Sequence, residues 1–248
     1  GRKTHWRAPR DVAAEMWSIY KEYDTRYFSF ADDTFTLNQG TVFPLLDAIE
    51  KTTLPKVLGF RWTCNTRPET IDQHLVSRMK GAGCSAIAIG IESGSPRILK
   101  KMKKKFTKGN VRKAVDIIRG EGLIVSGQFM VGYPTETEDE MWETVGLARE
   151  LKCESVMLSV AAPLPSTELF DEAVTMGLID SRNIDWEAIT TKNDGILMTI
   201  PKERKYKLLE EIRKEFDDMQ AETLLIKEAS RRKYEVQYIE EGELQYAY

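Results

Sequence analysis

Cysteine is scarce in this sequence of 248 residues and histidine scarcer, with three of the first and two of the second. Cys64, Cys84 and Cys153 stand far apart. An odd count without a close pair excludes a disulfide framework and a CxxC-type metal site. The expected strand boundaries put Cys64 at the end of one strand and Cys84 and Cys153 at the starts of two others. In a parallel sheet those are opposite edges, so the three are expected not to converge and to serve as small buried hydrophobes. No apolar run approaches the roughly 20 residues that a membrane helix needs. The basic start, Gly1-Arg-Lys-Thr-His-Trp-Arg7, lacks the apolar stretch of a secretory signal, and a cytoplasmic protein is the expectation. Neither sign of charge dominates: the net charge of −3 gives no general pull toward nucleic acid or anionic membranes.

What is present is an alternation. Pro9 and Asp11 open a helix through Tyr23, with Val12, Met16, Ile19 and Tyr20 on one face. Strands are expected at Tyr27–Asp33, Val57–Thr63, from Cys84, from Ile124 and at Ser155–Val160. Helices are expected at Thr41–Lys51, Glu69–Ala82, Arg97–Lys105, Thr107–Arg119, Thr137–Leu151 and Ser166–Met176. Thr137 with Glu140 reads as a capping box. Strict strand–helix alternation gives a parallel sheet with helices outside, open or barrel-like. After Ser181 the pattern fails. Residues 183–194 are irregular, Gly195–Ile200 reads as one more strand, and Pro201 opens a long helix with Leu208, Leu209, Ile212, Phe216 and Met219 at helical spacing. The tail from Tyr234 has no clear pattern. Two units are expected, 1–180 and an extension over 181–248.

Two strands organise the rest. Cys84-Ser-Ala-Ile-Ala-Ile-Gly-Ile-Glu92-Ser-Gly-Ser and Ile124-Val-Ser-Gly-Gln128-Phe-Met-Val-Gly-Tyr-Pro-Thr-Glu-Thr137 begin as apolar runs, suited to strands buried on both faces. Each carries one polar side chain among apolar ones, Glu92 and Gln128. Burying such a group without a partner costs about 2–7 kcal/mol, so a ligand bearing hydroxyls is one way to satisfy it.

Gly-Ile-Glu-Ser-Gly-Ser, then Lys-Lys-Met-Lys-Lys, then Gly-Gln-Phe-Met-Val-Gly-Tyr-Pro-Thr-Glu-Thr resemble the radical S-adenosylmethionine enzymes, in the branch with a cobalamin-binding domain typified by the anaerobic magnesium-protoporphyrin ester cyclases. The resemblance covers residues 1–180 but not the family's three-cysteine motif. It implies a partial six-unit TIM-like barrel of parallel strands with a C-terminal helical extension. Only five strand–helix units follow a leading helix, so the first strand and its cysteine loop are expected to be missing from a fragment. The implied cofactors are S-adenosylmethionine and a [4Fe-4S] cluster whose ligands lie outside this chain, with cobalamin left open for a full-length parent. The parent is expected to cleave S-adenosylmethionine to a deoxyadenosyl radical that modifies a small molecule, tetrapyrrole-like substrates included. The fragment alone is expected to be inactive.

Ligands of parallel sheets sit at the carboxyl ends of the strands. There the sequence offers Asp32, Asp33, Asn65, Arg67, Glu92, Ser93, Gln128, Ser159 and Pro163. The resemblance implies that Glu92, with Ser93 beside it, and Gln128 meet the ribose hydroxyls. It implies that Lys104 meets the methionine carboxylate and Asp32 and Asp33 its amino group, while Ala162 and Pro163 touch adenine. Plainer roles stand beside these. Asp32 and Asp33 cap a turn, Glu92 pairs with Arg67 or Lys104, Gln128 satisfies backbone groups, the lysine run is a solvated helix face, and His74 and Trp62 are structural, while His5, near the expected cluster loop, is a candidate to face substrate. Two other classes remain: a magnesium-assisted barrel enzyme using Asp32, Asp33 and Glu92, and a non-catalytic interaction domain built on the helix after Pro201.

Overall fold

The computed structural model describes residues 5–184 and 197–245, with side chains described up to residue 225. Its elements are α1 (Pro9–Tyr23), β1 (Tyr27–Phe30), α2 (Gln39–Lys51), β2 (Arg61–Thr66), α3 (Gln73–Gly81), β3 (Cys84–Glu92), α4 (Pro96–Lys101), α5 (Lys108–Gly120), β4 (Ile124–Val131), α6 (Glu138–Leu151), β5 (Ser155–Val160), α7 (Glu168–Thr175) and α8 (Lys202–Gln245). The helices start where the sequence supplies caps. Asp72 accepts a hydrogen bond from the Leu75 N–H, and capping boxes pair Thr107 with Asn110 and Thr137 with Glu140.

All neighbouring strands are parallel and the order is β1-β2-β3-β4-β5. Sequential order without reversal is the winding of a barrel, and the sheet curls into a half-barrel with its helices outside. Its outer face buries Trp62, Ile87, Ile89, Ile91, Val125 and Phe129 against the helices, with a half-buried Phe30 packed beside them. Trp62 is wholly buried, donates from Nε1 to the Ala82 carbonyl at 2.8 Å, and packs on Phe30 and Phe35, which makes it a core residue. His74 lies 5.3 Å from the Phe43 ring. α8 joins the same core through Leu208, Leu209, Ile212, Phe216 and Met219, the Phe216 ring 5.4 Å from that of Phe129.

Several boundaries differ from expectation. β2 runs from Arg61 to Thr66 because a 3₁₀ turn at Leu54–Lys56 and Gly59, at φ +82°, occupy the stretch expected to begin the strand. β1 ends at Phe30, and Ala31–Asp33 leave the sheet. Gly195 lies outside the described residues, and Leu197–Ile200 form no strand: Leu197 and Met198 are buried there in irregular backbone. From Tyr234 to Gln245 the backbone continues α8. Among the described residues no helix is long and apolar enough to cross a membrane.

The shift of β2 also overturns the expected separation of two cysteines. Cys64 falls mid-strand, and Cys84 pairs with Trp62 in the neighbouring strand, so the two thiols face the same outer layer. A hydrogen bond with Cys84, with burial adding to it, pushes the Cys64 thiol well up from its ordinary value. All three cysteines are free and buried.

Candidate functional site

The apolar run of β3 is not buried on both faces. Cys84, Ile87, Ile89 and Ile91 are buried, while Ala86, Ala88 and Gly90 between them are only half-buried. Large and small residues alternate, so the large ones pack on helices and the small ones floor the inside of the half-barrel. The walls on either side are polar: Thr63 and Asn65 from β2, Ser126 and Gln128 from β4.

Three of the expected residues meet at the carboxyl edge of this floor. Glu92 ends β3 with φ at +67°, a left-handed conformation uncommon for a side chain of its kind. Its carboxylate turns back over Gly90: a Cβ added there would sit 3.0 Å from Glu92 Oε1. Gly90 pairs with Gln128 across the ladder, which puts the Glu92 carboxylate beside the Gln128 side chain. Lys104, in the loop after α4, donates from Nζ to Glu92 Oε1 at 2.7 Å, both side chains being mostly buried. Glu92 therefore pairs with Lys104 and not with the exposed Arg67.

A second strand of contacts crosses the floor. Gln128 Nε2 donates to Asn65 Oδ1 at 3.3 Å, and Asn65 Nδ2 donates to the main-chain oxygen of Asp32 at 3.5 Å. The carboxylates of Asp32 and Asp33 are on exposed residues in the turn after β1. Asp32 borders a cavity of about 270 Å³ that it shares with His5, Arg7, Phe30 and Phe35. Ala162 is half-buried and Pro163 buried just after β5.

Ser93 departs from the group. It is wholly buried and points to α6, where its Oγ lies 3.3 Å from Thr144 Oγ1 and accepts from the Ser95 N–H at 3.0 Å. Thr144 also accepts from the Gly94 N–H at 2.9 Å. This turn holds the end of β3 tightly to α6, because Gly94 has no Cβ to hold them apart.

The loop after β4 contains a buried carboxylate that the sequence did not single out, Glu136, close to one that it did, Glu140 of α6. Glu136 is 1 % exposed; its Oε2 accepts from the N–H groups of Gly132 and Tyr133 at 2.6 and 3.1 Å, and its Oε1 has no protein partner. Burial pushes its carboxyl up to about 7. Four residues on, Glu140 is held down to about 2 by Arg97, whose Nε donates to it at 2.7 Å. Both carboxylates belong to the Tyr-Pro-Thr-Glu-Thr run and its capping box, a signal for a tight turn that says nothing about burial.

Among the described residues no three His, Cys, Asp or Glu side chains gather to hold a metal ion. Asp32, Asp33 and Glu92 thus do not form the magnesium site of the alternative reading, and no iron–sulfur ligand set is present among them. Glu92, Gln128 and Lys104, two acceptors beside a cation on a floor of small residues, instead suit an organic ligand with hydroxyls and a negative group.

The fold and this edge accord with a known class. The Radical SAM superfamily matches residues 1–148, and the chain belongs to it. An uncharacterized methyltransferase of Pyrococcus horikoshii is 31 % identical over 191 residues, covering 77 % of this chain and 40 % of the relative. The anaerobic magnesium-protoporphyrin IX monomethyl ester cyclase of Rubrivivax gelatinosus is 26 % identical over 168 residues, covering 67 % of this chain and 30 % of the relative. The chain thus spans less than half the length of these relatives. In fold it is similar to the radical S-adenosylmethionine methyltransferase TsrM of Kitasatospora setae, solved with cobalamin and a [4Fe-4S] cluster, at TM-score 0.62 and 20 % identity over 68 % of this chain and 32 % of that one.

Proposed function

We propose that this chain forms the S-adenosylmethionine cradle of a radical enzyme that methylates, cyclises or otherwise modifies a small molecule. The observation that carries the reading is the meeting of Glu92, Gln128 and Lys104 at the carboxyl edge of β3 and β4. In this reading Glu92 and Gln128 accept from the two ribose hydroxyls, and Lys104 leaves Glu92 for the methionine carboxylate. A lysine offers a point charge where an arginine would offer a fork, so the carboxylate is held without a fixed orientation. Asp32 and Asp33 attract the amino group from the turn after β1. Ala162 and Pro163 line the adenine through main chain and ring, and Ser93 fixes the turn that carries Glu92. A [4Fe-4S] cluster belongs to the whole protein in this reading, on ligands other than the described residues. A cobalamin-binding domain does too, supported by the cobalamin bound in TsrM, which is similar in fold. The relatives' names, a protoporphyrin ester cyclase and a bacteriochlorophyllide methyltransferase among them, favour a tetrapyrrole-like substrate.

The test is equilibrium binding of S-adenosylmethionine to the purified protein by calorimetry. Glu92→Ala and Gln128→Ala are each expected to weaken binding about tenfold, near 1.4 kcal/mol, with circular dichroism unchanged. Unchanged affinity in both variants overturns the reading.

A further inference from the structure

The amide of Gln128 has two different ends, and only one of them can accept a hydroxyl's proton. A carboxylate at the same place would accept with either oxygen and would need no orienting. Position 128 therefore poses a problem of direction, and the neighbouring strand answers it.

The answer begins at a main-chain oxygen. The carbonyl of Asp32 can only accept, so the Asn65 amide faces it with its nitrogen, Nδ2, at 3.5 Å. Asn65 Oδ1 is then the end turned toward Gln128, and it accepts from Gln128 Nε2 at 3.3 Å. With its nitrogen engaged, Gln128 is left with Oε1 as its free end. From this relay we infer that Asn65 is a positioning residue: it turns the acceptor oxygen of Gln128 toward a ligand hydroxyl. The inference rests on the reading of this edge as a cofactor cradle.

The relay has to cross β3, which lies between the strands that carry Asn65 and Gln128. Two strand spacings are about 10 Å, within reach of two amide side chains only if nothing stands between them. The residues of β3 paired with the two are Ala88, opposite Asn65, and Gly90, opposite Gln128. They are the small residues of the floor. The same Gly90 leaves room for the Glu92 carboxylate, so two acceptors from adjacent strands lie side by side. Their chemistry selects a vicinal diol, with Glu92 taking one hydroxyl and an oriented Gln128 the other.

A mutant cycle read by calorimetry separates this inference from the cradle reading. The probes are S-adenosylmethionine and an analogue lacking both ribose hydroxyls, with folding checked by circular dichroism. Asn65→Leu is expected to weaken S-adenosylmethionine binding about five- to tenfold, to leave the analogue's affinity unchanged, and to add nothing on top of Gln128→Ala. In a Gln128→Glu background Asn65→Leu is expected to have little effect, because a carboxylate needs no orienting. Asn65→Asp keeps the acceptor for Gln128 Nε2 and is expected to bind near wild-type levels, which preserves the test if Asn65→Leu does not fold. If Gln128→Ala and Glu92→Ala both leave S-adenosylmethionine binding intact, the cradle reading fails and the relay with it; if Gln128→Ala alone leaves it intact, the relay fails while the cradle reading stands on Glu92. If Gln128→Ala weakens binding but Asn65→Leu does not, if Asn65→Asp weakens it as much as Asn65→Leu, or if the Asn65→Leu loss persists undiminished in the Gln128→Ala and Gln128→Glu backgrounds, the relay alone is overturned.

Discussion

Lys104 Nζ lies 2.7 Å from Glu92 Oε1, and the carboxylate it holds is folded back over a residue with no side chain, Gly90. The cation and the anion proposed to grip two parts of one cofactor thus hold each other. The pair keeps both charges partnered at an edge where each is less than a quarter exposed.

Gly90→Ala tests that arrangement. The new methyl would lie 3.0 Å from Glu92 Oε1, the far end of a flexible side chain, so Glu92 can yield without disturbing the sheet. The expected outcome is a cofactor affinity several-fold weaker with a melting temperature within a few degrees of wild type. A large loss of stability would place the role of Gly90 in folding and not in the pose of Glu92.

Gly94 presents the opposite case. A Cβ there would stand 2.2 Å from the main-chain oxygen of Glu143, in α6, and backbone cannot swing aside. Gly94→Ala is expected to cost about 3 kcal/mol or more by denaturant unfolding. Gly146→Ala, within α6 and with nothing inside 4 Å, is the control and is expected to be neutral or to stabilise by about 1 kcal/mol. Equal effects at the two sites would refute the close approach of β3 and α6.

Glu136 sets a dependence on pH. Its carboxyl is raised by burial to about 7, so the folded state keeps a proton that the unfolded chain releases near 4.5. The stability tied to that proton is fully present below 4.5 and is lost as the pH rises through 7, on the order of 3 kcal/mol in all. The neighbouring Glu140, held at about 2 beside Arg97, has the opposite sign and acts only in stronger acid. Urea midpoints between pH 5 and 8 are expected to fall for the wild type and to stay nearly level for Glu136→Gln. The same slope in both proteins would remove Glu136 as the source.

The sequence made the winding of the fold legible, because caps and breakers mark element ends locally: Pro9, Thr107 and Thr137 each start a helix through their own side chains or ring, whereas the helix expected from Glu69 begins only at Gln73, under the Asp72 cap. It also made Glu92 and Gln128 visible, as polar residues in apolar runs. What it hid depends on contacts between distant parts of the chain. The late start of β2 follows from a turn around Gly59, and only with that start does Cys64 come beside Cys84. The run Ile-Ala-Ile-Gly-Ile reads as uniformly apolar until its pairing separates large residues from small. Lys104 could be picked from a lysine-rich stretch by resemblance alone; its contact with Glu92 is a fact of three dimensions. Glu136 looks like an ordinary turn acid, and only burial gives it an unusual proton affinity.

The alanines and glycine of β3 have a consequence for how such a bowl can change over generations. At positions 88 and 90 small size also serves the polar grip, but position 86 sets only the depth of the bowl. A methylene or two added at Ala86, far from the Glu92 edge, would make the bowl shallower and turn away a broad guest while every polar contact stayed in place. The choice of guest and the hold on the cofactor are therefore separable traits, open to selection one at a time.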